Sequence, residues 1–485
     1  MQGSRSGGGR TVSSGILTGI STAAVSGSAA VAGVILSRKF GHGVKTDGFF
    51  VAYGVYLALV LVANALRVVV LPRFALARAD GRLRGEVGTW LAALAVPLVP
   101  IVLVALLWSH GLADVLAGNS HARAQAAELL PWLVAAAAVQ IFAGVLASVL
   151  AAYDDYGTAA LGFGLGAVAG LAVIAALVGH GVVAFGWGLG ANGAIAFAIP
   201  FVAVARRRAI GRPDSSVPAR LHELVDGVSL PLVLQGLFVV GIRFANGLGT
   251  GKATTFSYAY LIAAFLVAVT ATSIALVTTV PFAREGAAPE RVARHVVSVS
   301  WLSLALVAAA AGVFALAGET VARRVLGASY GGSTGTELGR LVVVLAPWMV
   351  ASVAVTVAYP LVFVRGRARW LPAFAGAILL AHVLVEWAGR AAWGLSGIAA
   401  GLALTTTIVL VVLLAKLHAL RASLTGIVVA GAVCGALAAV AYGVPRALLG
   451  PIAAAVAGLV LYALVLTLWR PAGLRHAWAY VRALQ

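Results

Sequence analysis

Two arginines stand inside apolar runs that carry no other charge, and their side chains are the strongest candidates for binding chemistry. Arg67 follows Asn64 by three residues and Arg243 precedes Asn246 by three, so each arginine shares a helical face with an amide. A guanidinium in hydrocarbon costs about 3 kcal/mol or more and needs an anion or a water-filled cavity. A phosphate could supply that anion through a bidentate contact. We therefore predict that these four residues line a cavity that binds an anionic substrate.

The two arginines differ in whether the side chain could reach the membrane interface instead of binding a substrate. Arg67 lies near the inner end of its run, where a long side chain can also snorkel to the interface. Arg243, counted from Ser229, lies about 21 Å into a hydrocarbon core of about 30 Å, too deep for comfortable snorkelling. Its own run contains no acid that could neutralise it. We therefore expect Arg243 to face a central cavity, within reach of a polar partner or a substrate phosphate.

Acidic and imidazole side chains form two further candidate groups. Asp47 lies at the outer end of the second apolar run, where it either contributes to the cavity or caps a helix together with Thr46. His382, Glu386 and Arg390 recur at intervals of four residues, which places them on one helical face. These three residues form either a gate or ion site, or an interfacial salt bridge.

Several other classes of site are excluded by the pattern of residues. The chain has one cysteine, Cys434, and its sequence contains no His, Cys, Asp or Glu cluster with metal-ligand spacing and no phosphate-binding glycine loop. We therefore predict no metal site, no cofactor and no ATP-driven step. We also predict that the protein is not an enzyme, because no segment between apolar runs is long enough for a catalytic domain. The net charge of +19 sits in short loops, which indicates membrane topology and not nucleic-acid binding.

The elements that must position these residues are helices that cross a membrane. Of 485 residues, 62% are hydrophobic and 10% are charged, whereas a soluble domain has about 25% charged residues. Mean hydropathy is +1.03. We predict an all-α, polytopic membrane protein of about fourteen transmembrane helices, each about 20 residues long. The predicted spans are 15–37, 48–71, 87–109, 129–153, 157–179, 182–205, 229–249, 255–281, 294–318, 338–364, 369–389, 394–416, 424–443 and 446–469.

The basic residues predict the orientation of these spans. With the N-terminus inside, 22 Lys and Arg residues fall on the inner side and 10 on the outer side, as the positive-inside rule requires. The strong bias of the basic residues to arginine is typical of bacterial genomes rich in G and C. We therefore expect a multi-pass protein of a bacterial cytoplasmic (inner) membrane, with both termini in the cytoplasm.

Two short motifs indicate an internal repeat of six helices. Residues 187–189 and 393–395 both read WGL, and aromatic starts at 49–53 and 256–260 precede helices that end at Pro72 and Pro281. Six is an even number, so the two copies share one orientation, as in the parallel repeats of alternating-access transporters. We predict a disordered tail over 1–14, an N-lobe over 15–205, a cytoplasmic linker over 206–228, a C-lobe over 229–416 and two C-terminal helices within 417–485.

Two stretches resemble a known family. Residues 40–53, FGHGVKTDGFFVAY, resemble the FGAG..TDAFFVAF signature of the MurJ/MviN lipid II flippases, and residues 256–260, FSYAY, with a helix that ends at Pro281, resemble its YYADR…LLP region. The resemblance implies the multidrug/oligosaccharidyl-lipid/polysaccharide (MOP) exporter superfamily. It also implies two six-helix lobes around a central cavity and two additional helices.

The resemblance implies a function and also shows where this chain departs from the family pattern. Ser26 and Ala32 occupy the positions of first-helix arginines that are thought to hold a pyrophosphate, and Leu261 replaces the arginine of YYADR. The expected function is a flippase for a polyprenyl-(di)phosphate-linked glycan, such as a lipid II-like cell-envelope precursor. The alternatives are a MATE-like multidrug exporter and a non-transporting scaffold for envelope synthesis. The expected partners are the lipid-linked glycan, membrane lipids and envelope-synthesis proteins.

Overall fold

Helices make up the regular structure of the described residues, which are 7–118, 120–285, 288–364 and 368–483 of a computed structural model. Short 3-10 helices at Val178–His180 and Ala328–Tyr330 accompany sixteen α-helices in this part of the chain. The α-helices are α1 Gly7–Phe40, α2 Val44–Ala79, α3 Leu83–Leu107, α4 Ser109–Ala117, α5 Ser120–Ala152, α6 Tyr156–Leu177, α7 Val183–Arg206, α8 Val217–Asn246, α9 Lys252–Glu285, α10 Pro289–Leu326, α11 Gly332–Val344, α12 Ala346–Val364, α13 Leu371–Lys416, α14 Leu420–Leu448, α15 Pro451–Trp469 and α16 Ala472–Ala483.

The prediction of about fourteen membrane-spanning helices is confirmed. Twelve described helices are long and apolar enough to cross a membrane. One of them, α13, has 46 residues and is interrupted by non-helical backbone at Trp393 and Gly394, so it contains two spans. The apolar part of α9, Lys252–Ala268, is a further apolar helix that is shorter than these spans. The chain is therefore an all-α, multi-pass membrane protein.

Two predicted loops are shorter than expected because helices begin earlier. The predicted linker 206–228 is helical from Val217, since Ser216 accepts a hydrogen bond from the Ala219 amide at 3.4 Å and Pro218 occupies the first turn. The predicted disordered tail 1–14 is helical from Gly7; residues 1–6 lie outside the described part. Glycine and serine lower helix propensity by only about 0.5–1 kcal/mol each, which neighbouring turns can offset.

One predicted span is divided. The span predicted over 338–364 consists of α11 and α12, separated at Leu345. Pro347 explains the break, because proline has no backbone N–H to donate to the preceding turn and is tolerated only in the first turn of a helix.

The chain divides into two compact units, Met1–Gly251 with Leu371–Gly376, and Lys252–Trp370 with Ala377–Gln485. In the first unit α2 packs on α5 and α8, and α6 packs on α7 and α1. In the second unit α10 is central and packs on α11, α12, α14, α15 and α16. The first compact unit thus contains α8 as well as the first six predicted spans. The predicted lobes are defined by sequence repeat and not by contacts, and their boundaries stay a prediction.

The first unit has a large apolar core near the end of α2. Leu66, Val70 and Phe74 of α2 are buried against Trp90 of α3, Leu150 of α5 and other apolar residues of these helices. Leu224 and Val228, in the early part of α8, belong to the same cluster. This core fixes the rotation of α2, and so determines where Arg67 and the residues around it project.

Candidate functional site

Asp47 connects two distant parts of the first unit. Its side chain is fully buried, and its Oδ2 atom accepts a hydrogen bond of 2.6 Å from the amide of Gly251. His121 Nε2 lies 3.9 Å from the same oxygen. The start of α2 is capped instead by Thr46, whose hydroxyl accepts from the Gly43 amide at 3.0 Å. The Thr46 part of the predicted cap is therefore confirmed, whereas the Asp47 carboxylate binds the turn that follows α8.

Arg243 and Asn246 both bind the C-terminal end of α4. Arg243 Nη1 donates to the carbonyl of Val115, and Asn246 Nδ2 donates to the carbonyl of Ala117. The last carbonyls of a helix have no partner within it and carry partial negative charge, so a guanidinium is a favourable cap. Gly118 ends α4 in the left-handed region, at φ 69°, which is common at this position.

Arg243 lies closer to the end of its helix than the sequence indicated, and its predicted role at a cavity stays a prediction. Because α8 ends at Asn246 and not at Gly249, Arg243 lies in the last turn of this 30-residue helix. Such a helix is about 45 Å long, well over the hydrocarbon thickness of about 30 Å. The guanidinium is therefore close to a helix end, and its side chain is exposed.

Arg67 is placed differently, on the exposed side of α2. Its neighbour Leu66 is buried, whereas Arg67 is exposed. Arg67 lies twelve residues before the end of α2, about 18 Å along the axis. Among the described residues no carboxylate forms an ion pair with it. The side chain of Asn64 lies outside the described part of the structure. The predicted role of Arg67 in binding an anion stays a prediction.

The His382 and Glu386 side chains meet inside the helical hairpin of α13. Both are fully buried, and His382 Nε2 lies 3.2 Å from Glu386 Oε1. Thr405, on the returning segment, places its hydroxyl 2.9 Å from His382 Nδ1. Within the described structure neither carboxylate oxygen of Glu386 has a hydrogen-bond donor of good geometry. The pair is therefore buried inside the hairpin and not at an interface. A gate or ion site stays a prediction, and Arg390 is half-buried one turn further.

Close glycine contacts hold this hairpin together. A side chain at Gly397 would come within 1.8 Å of the Gly389 carbonyl oxygen, so the two segments touch through their backbones. Gly401 lies opposite Glu386, where an added Cβ would be 3.2 Å from Oε1. The small residues therefore create the space that the buried carboxylate occupies.

A charged network on α2, α3 and α8 was not predicted from the sequence. Arg220 Nε lies 2.9 Å from Glu86 Oε1, and Arg220 Nη1 lies 2.7 Å from Glu223 Oε1. Arg73 contacts the same oxygen of Glu223 at 3.1 Å, and Trp90 donates to Glu86 at 2.9 Å. The spacing of Arg220 and Glu223 would have indicated an ion pair if the early start of α8 had been recognised. Their partner Glu86 is 134 residues away from Arg220, and no local pattern points to it.

Metal-binding clusters are not found in the described ranges, where no three His, Cys, Asp or Glu side chains come together in a suitable group. The described candidate residues thus comprise Arg67 without a carboxylate partner, a buried imidazole–carboxylate pair, helix-end contacts and a charged network. These groups can bind and release ions or charged headgroups.

No protein-family model matches the sequence, and neither does any curated protein. Solved structures, in contrast, match over most of the chain. A structure of the lipid II flippase MurJ in an inward closed conformation is similar with a TM-score of 0.73, at 13% identity over 94% of this chain and 99% of that one.

Other matches are transporters too. An inward-facing MATE family multidrug resistance transporter of the MOP superfamily gives a TM-score of 0.62, at 14% identity over 84% of this chain and 94% of that one. A MOP superfamily transporter from Pyrococcus furiosus gives 0.58, at 14% identity over 87% and 94%. The chain therefore has the fold that lipid II flippase MurJ shares with the MATE transporters of the MOP superfamily.

Proposed function

We propose that the protein is a flippase that moves a polyprenyl-(di)phosphate-linked glycan across a bacterial cytoplasmic membrane by alternating access. The observation that supports this proposal best is the similarity to MurJ over 94% of this chain and 99% of that chain. The matched MATE transporter covers 84% of this chain. The proposed orientation places both termini in the cytoplasm.

The proposed contact with the substrate is Arg67. A polyprenyl diphosphate carries its negative charge at the junction of lipid and glycan, so it needs a cation within the transport path. The arginines that the flippase resemblance implies are replaced by Ser26, Ala32 and Leu261. Arg67 is exposed and forms no ion pair with the carboxylates of the described residues. It therefore remains able to bind a phosphate in a bidentate manner.

Transport in liposomes tests this proposal. A fluorescent polyprenyl-diphosphate disaccharide would be incorporated into vesicles that contain the full chain, and its movement would be followed with an impermeant quencher. Because a hydrogen bond to a charged group contributes about 1.5–3 kcal/mol, Arg67→Gln should slow transport by about tenfold or more. Arg82→Gln is the matched control, since Arg82 is 72% exposed and pairs only with nearby Asp80 in the described structure. Equal rates for Arg67→Gln and wild type would contradict the proposed contact.

A second candidate function, MATE-like export of cations, is favoured by one observation. Glu386 is a fully buried carboxylate in a span, as ion-coupled exporters need. The same vesicles distinguish the two functions. Movement of ethidium that stops in Glu386→Gln, without movement of the labelled glycolipid, would favour an exporter. Absence of both activities, together with rescue of an envelope-synthesis defect in cells by the Arg67→Gln chain, would favour a scaffold.

A further inference from the structure

Helices α6 and α7 are held in close contact by small residues along most of their length. A Cβ added at Gly170 would lie 2.6 Å from the carbonyl oxygen of Gly188. A Cβ added at Gly166 would lie 2.7 Å from the carbonyl oxygen of Asn192. The last contact of this series is at Gly162, where a Cβ would lie 3.0 Å from the Pro200 ring. The two helices are therefore nearly in backbone contact until the chain reaches Pro200.

A cavity of about 590 Å³ lies where this series of contacts stops. Ile199 and Val202 of α7 form an apolar wall, and Thr158 of α6 also lines the cavity. Asp155, Arg206 and Arg207 line its polar end. Arg206 is the last residue of a predicted membrane span, and Ile199 precedes it by seven residues, about 10 Å along the helix. The cavity therefore extends from hydrocarbon depth to headgroup depth.

The charges in the cavity leave one cation available. Arg207 pairs with Asp155, which also accepts hydrogen bonds from the Thr158 amide at 3.1 Å and the Thr158 hydroxyl at 3.0 Å. Partial burial alone would raise the pKa of Asp155, but the hydrogen bonds from Thr158 and Arg207 outweigh it and hold that pKa below its ordinary value. Asp155 is thus ionised at neutral pH and neutralises Arg207. Arg206 is exposed and pairs with no carboxylate of the described chain.

We propose that this cavity binds one anionic phospholipid from the leaflet on the basic side of the membrane. The phosphate lies at the polar end beside Arg206, and the first carbons of an acyl chain lie on Ile199 and Val202. A single available cation matches the single charge of a phosphodiester better than the higher charge of a diphosphate. The ligand is thus a membrane lipid, distinct from the proposed transport substrate.

Lipid binding to the full chain in detergent tests the proposal by native mass spectrometry. Phosphatidylglycerol should bind more tightly than phosphatidylcholine with the same acyl chains. Because each basic residue near an anionic lipid contributes about 1 kcal/mol, Arg206→Gln should weaken phosphatidylglycerol binding about fivefold. Arg212→Gln is the matched control, since it removes an exposed arginine six residues away, outside the cavity. It should bind as wild type does.

A second variant tests the cavity without changing charge. Val202→Trp fills the apolar wall and should also weaken phosphatidylglycerol binding, while Arg206 is kept. Equal weakening by Arg206→Gln and Arg212→Gln would overturn the proposal, because it would indicate a diffuse attraction to the basic surface. Unchanged binding in Val202→Trp, or equally tight binding of glycerol phosphate alone, would overturn it too.

Discussion

A cation placed at the C-terminal end of a helix interacts with carbonyls that the helix itself leaves unpaired. Arg243 and Asn246 make this interaction together, and they join the short α4 to the far end of α8. The two residues are three apart on one helical face, and Asn246 is fully buried. The contact therefore has a structural consequence that can be separated from substrate binding.

We expect Arg243→Ala to lower the stability of the protein by about 0.3–2 kcal/mol, the usual contribution of a cation at a helix end. Arg243→Lys should recover part of it, because the charge remains near the end of α4. Thermal unfolding of both variants in one detergent would measure the difference. If Arg243→Ala stops glycolipid transport and leaves the unfolding temperature unchanged, the predicted cavity role of Arg243 is favoured instead.

Residue types and spacing identified candidate site residues more successfully than they identified the residues that contact them. The interval of four residues correctly placed His382 beside Glu386. It gave no information about Thr405, which approaches from the returning segment. Asp47 was singled out by the family signature, yet its hydrogen-bond donor Gly251 is 204 residues away. Local periodicity determines a helical face, whereas the identity of a distant partner depends on tertiary packing.

At the scale of elements, the two halves of α13 depend on backbone contact between Gly389 and Gly397. A methyl group at Gly397 would clash with backbone atoms of Gly389, which cannot relieve the clash by a change of rotamer as a side chain can. The halves would have to separate, and the buried pair of His382 and Glu386 lies in the same hairpin. Glycine is thus required here for close approach.

We therefore expect Gly397→Ala to destabilise the protein by about 1–3 kcal/mol, as overpacking of a tight contact does. Gly376→Ala, in the same helix, is the matched control, because no atom lies within 4 Å of the added Cβ. That control should be neutral or slightly stabilising, since alanine is the better helix former. Denaturation in detergent would compare them, and equal stability of the two variants would disprove the required contact.

Helices were predictable from hydropathy because each needs about 20 apolar residues to cross the bilayer. Their ends were less predictable where a helix continues beyond the hydrocarbon. The first twelve residues of α8 are polar enough to resemble a loop, and only the Ser216 cap and Pro218 mark the true start. These residues include Arg220 and Glu223, so the charged network with Glu86 was missed together with the helix start.

At the scale of the whole molecule, the distribution of Lys and Arg predicts the orientation of every span at once. The fold is that of known transporters, and the proposed orientation can be tested directly. Cys434 is the only cysteine in the sequence and is buried in the structure. A Cys434→Ala chain therefore offers a background for labelling at single introduced cysteines.

Gly179→Cys and Arg212→Cys would test the two sides of the membrane. Gly179 lies between α6 and α7 with open space around it, and Arg212 lies exposed between α7 and α8. We expect a membrane-impermeant maleimide to label Gly179→Cys in intact cells, and Arg212→Cys only after permeabilisation. The reverse pattern would invert the proposed topology.

The uneven polarity of α13 also has a consequence for how the protein is made. Its first half carries His382, Glu386 and Arg390 within nine residues, whereas its second half is uncharged until Lys416. A charged residue near the middle of a helix opposes insertion by about 2.5–3.5 kcal/mol. We expect the insertion machinery to retain the first half until the second half leaves the ribosome. The two halves then enter the lipid as one unit, with their polar side chains already facing each other.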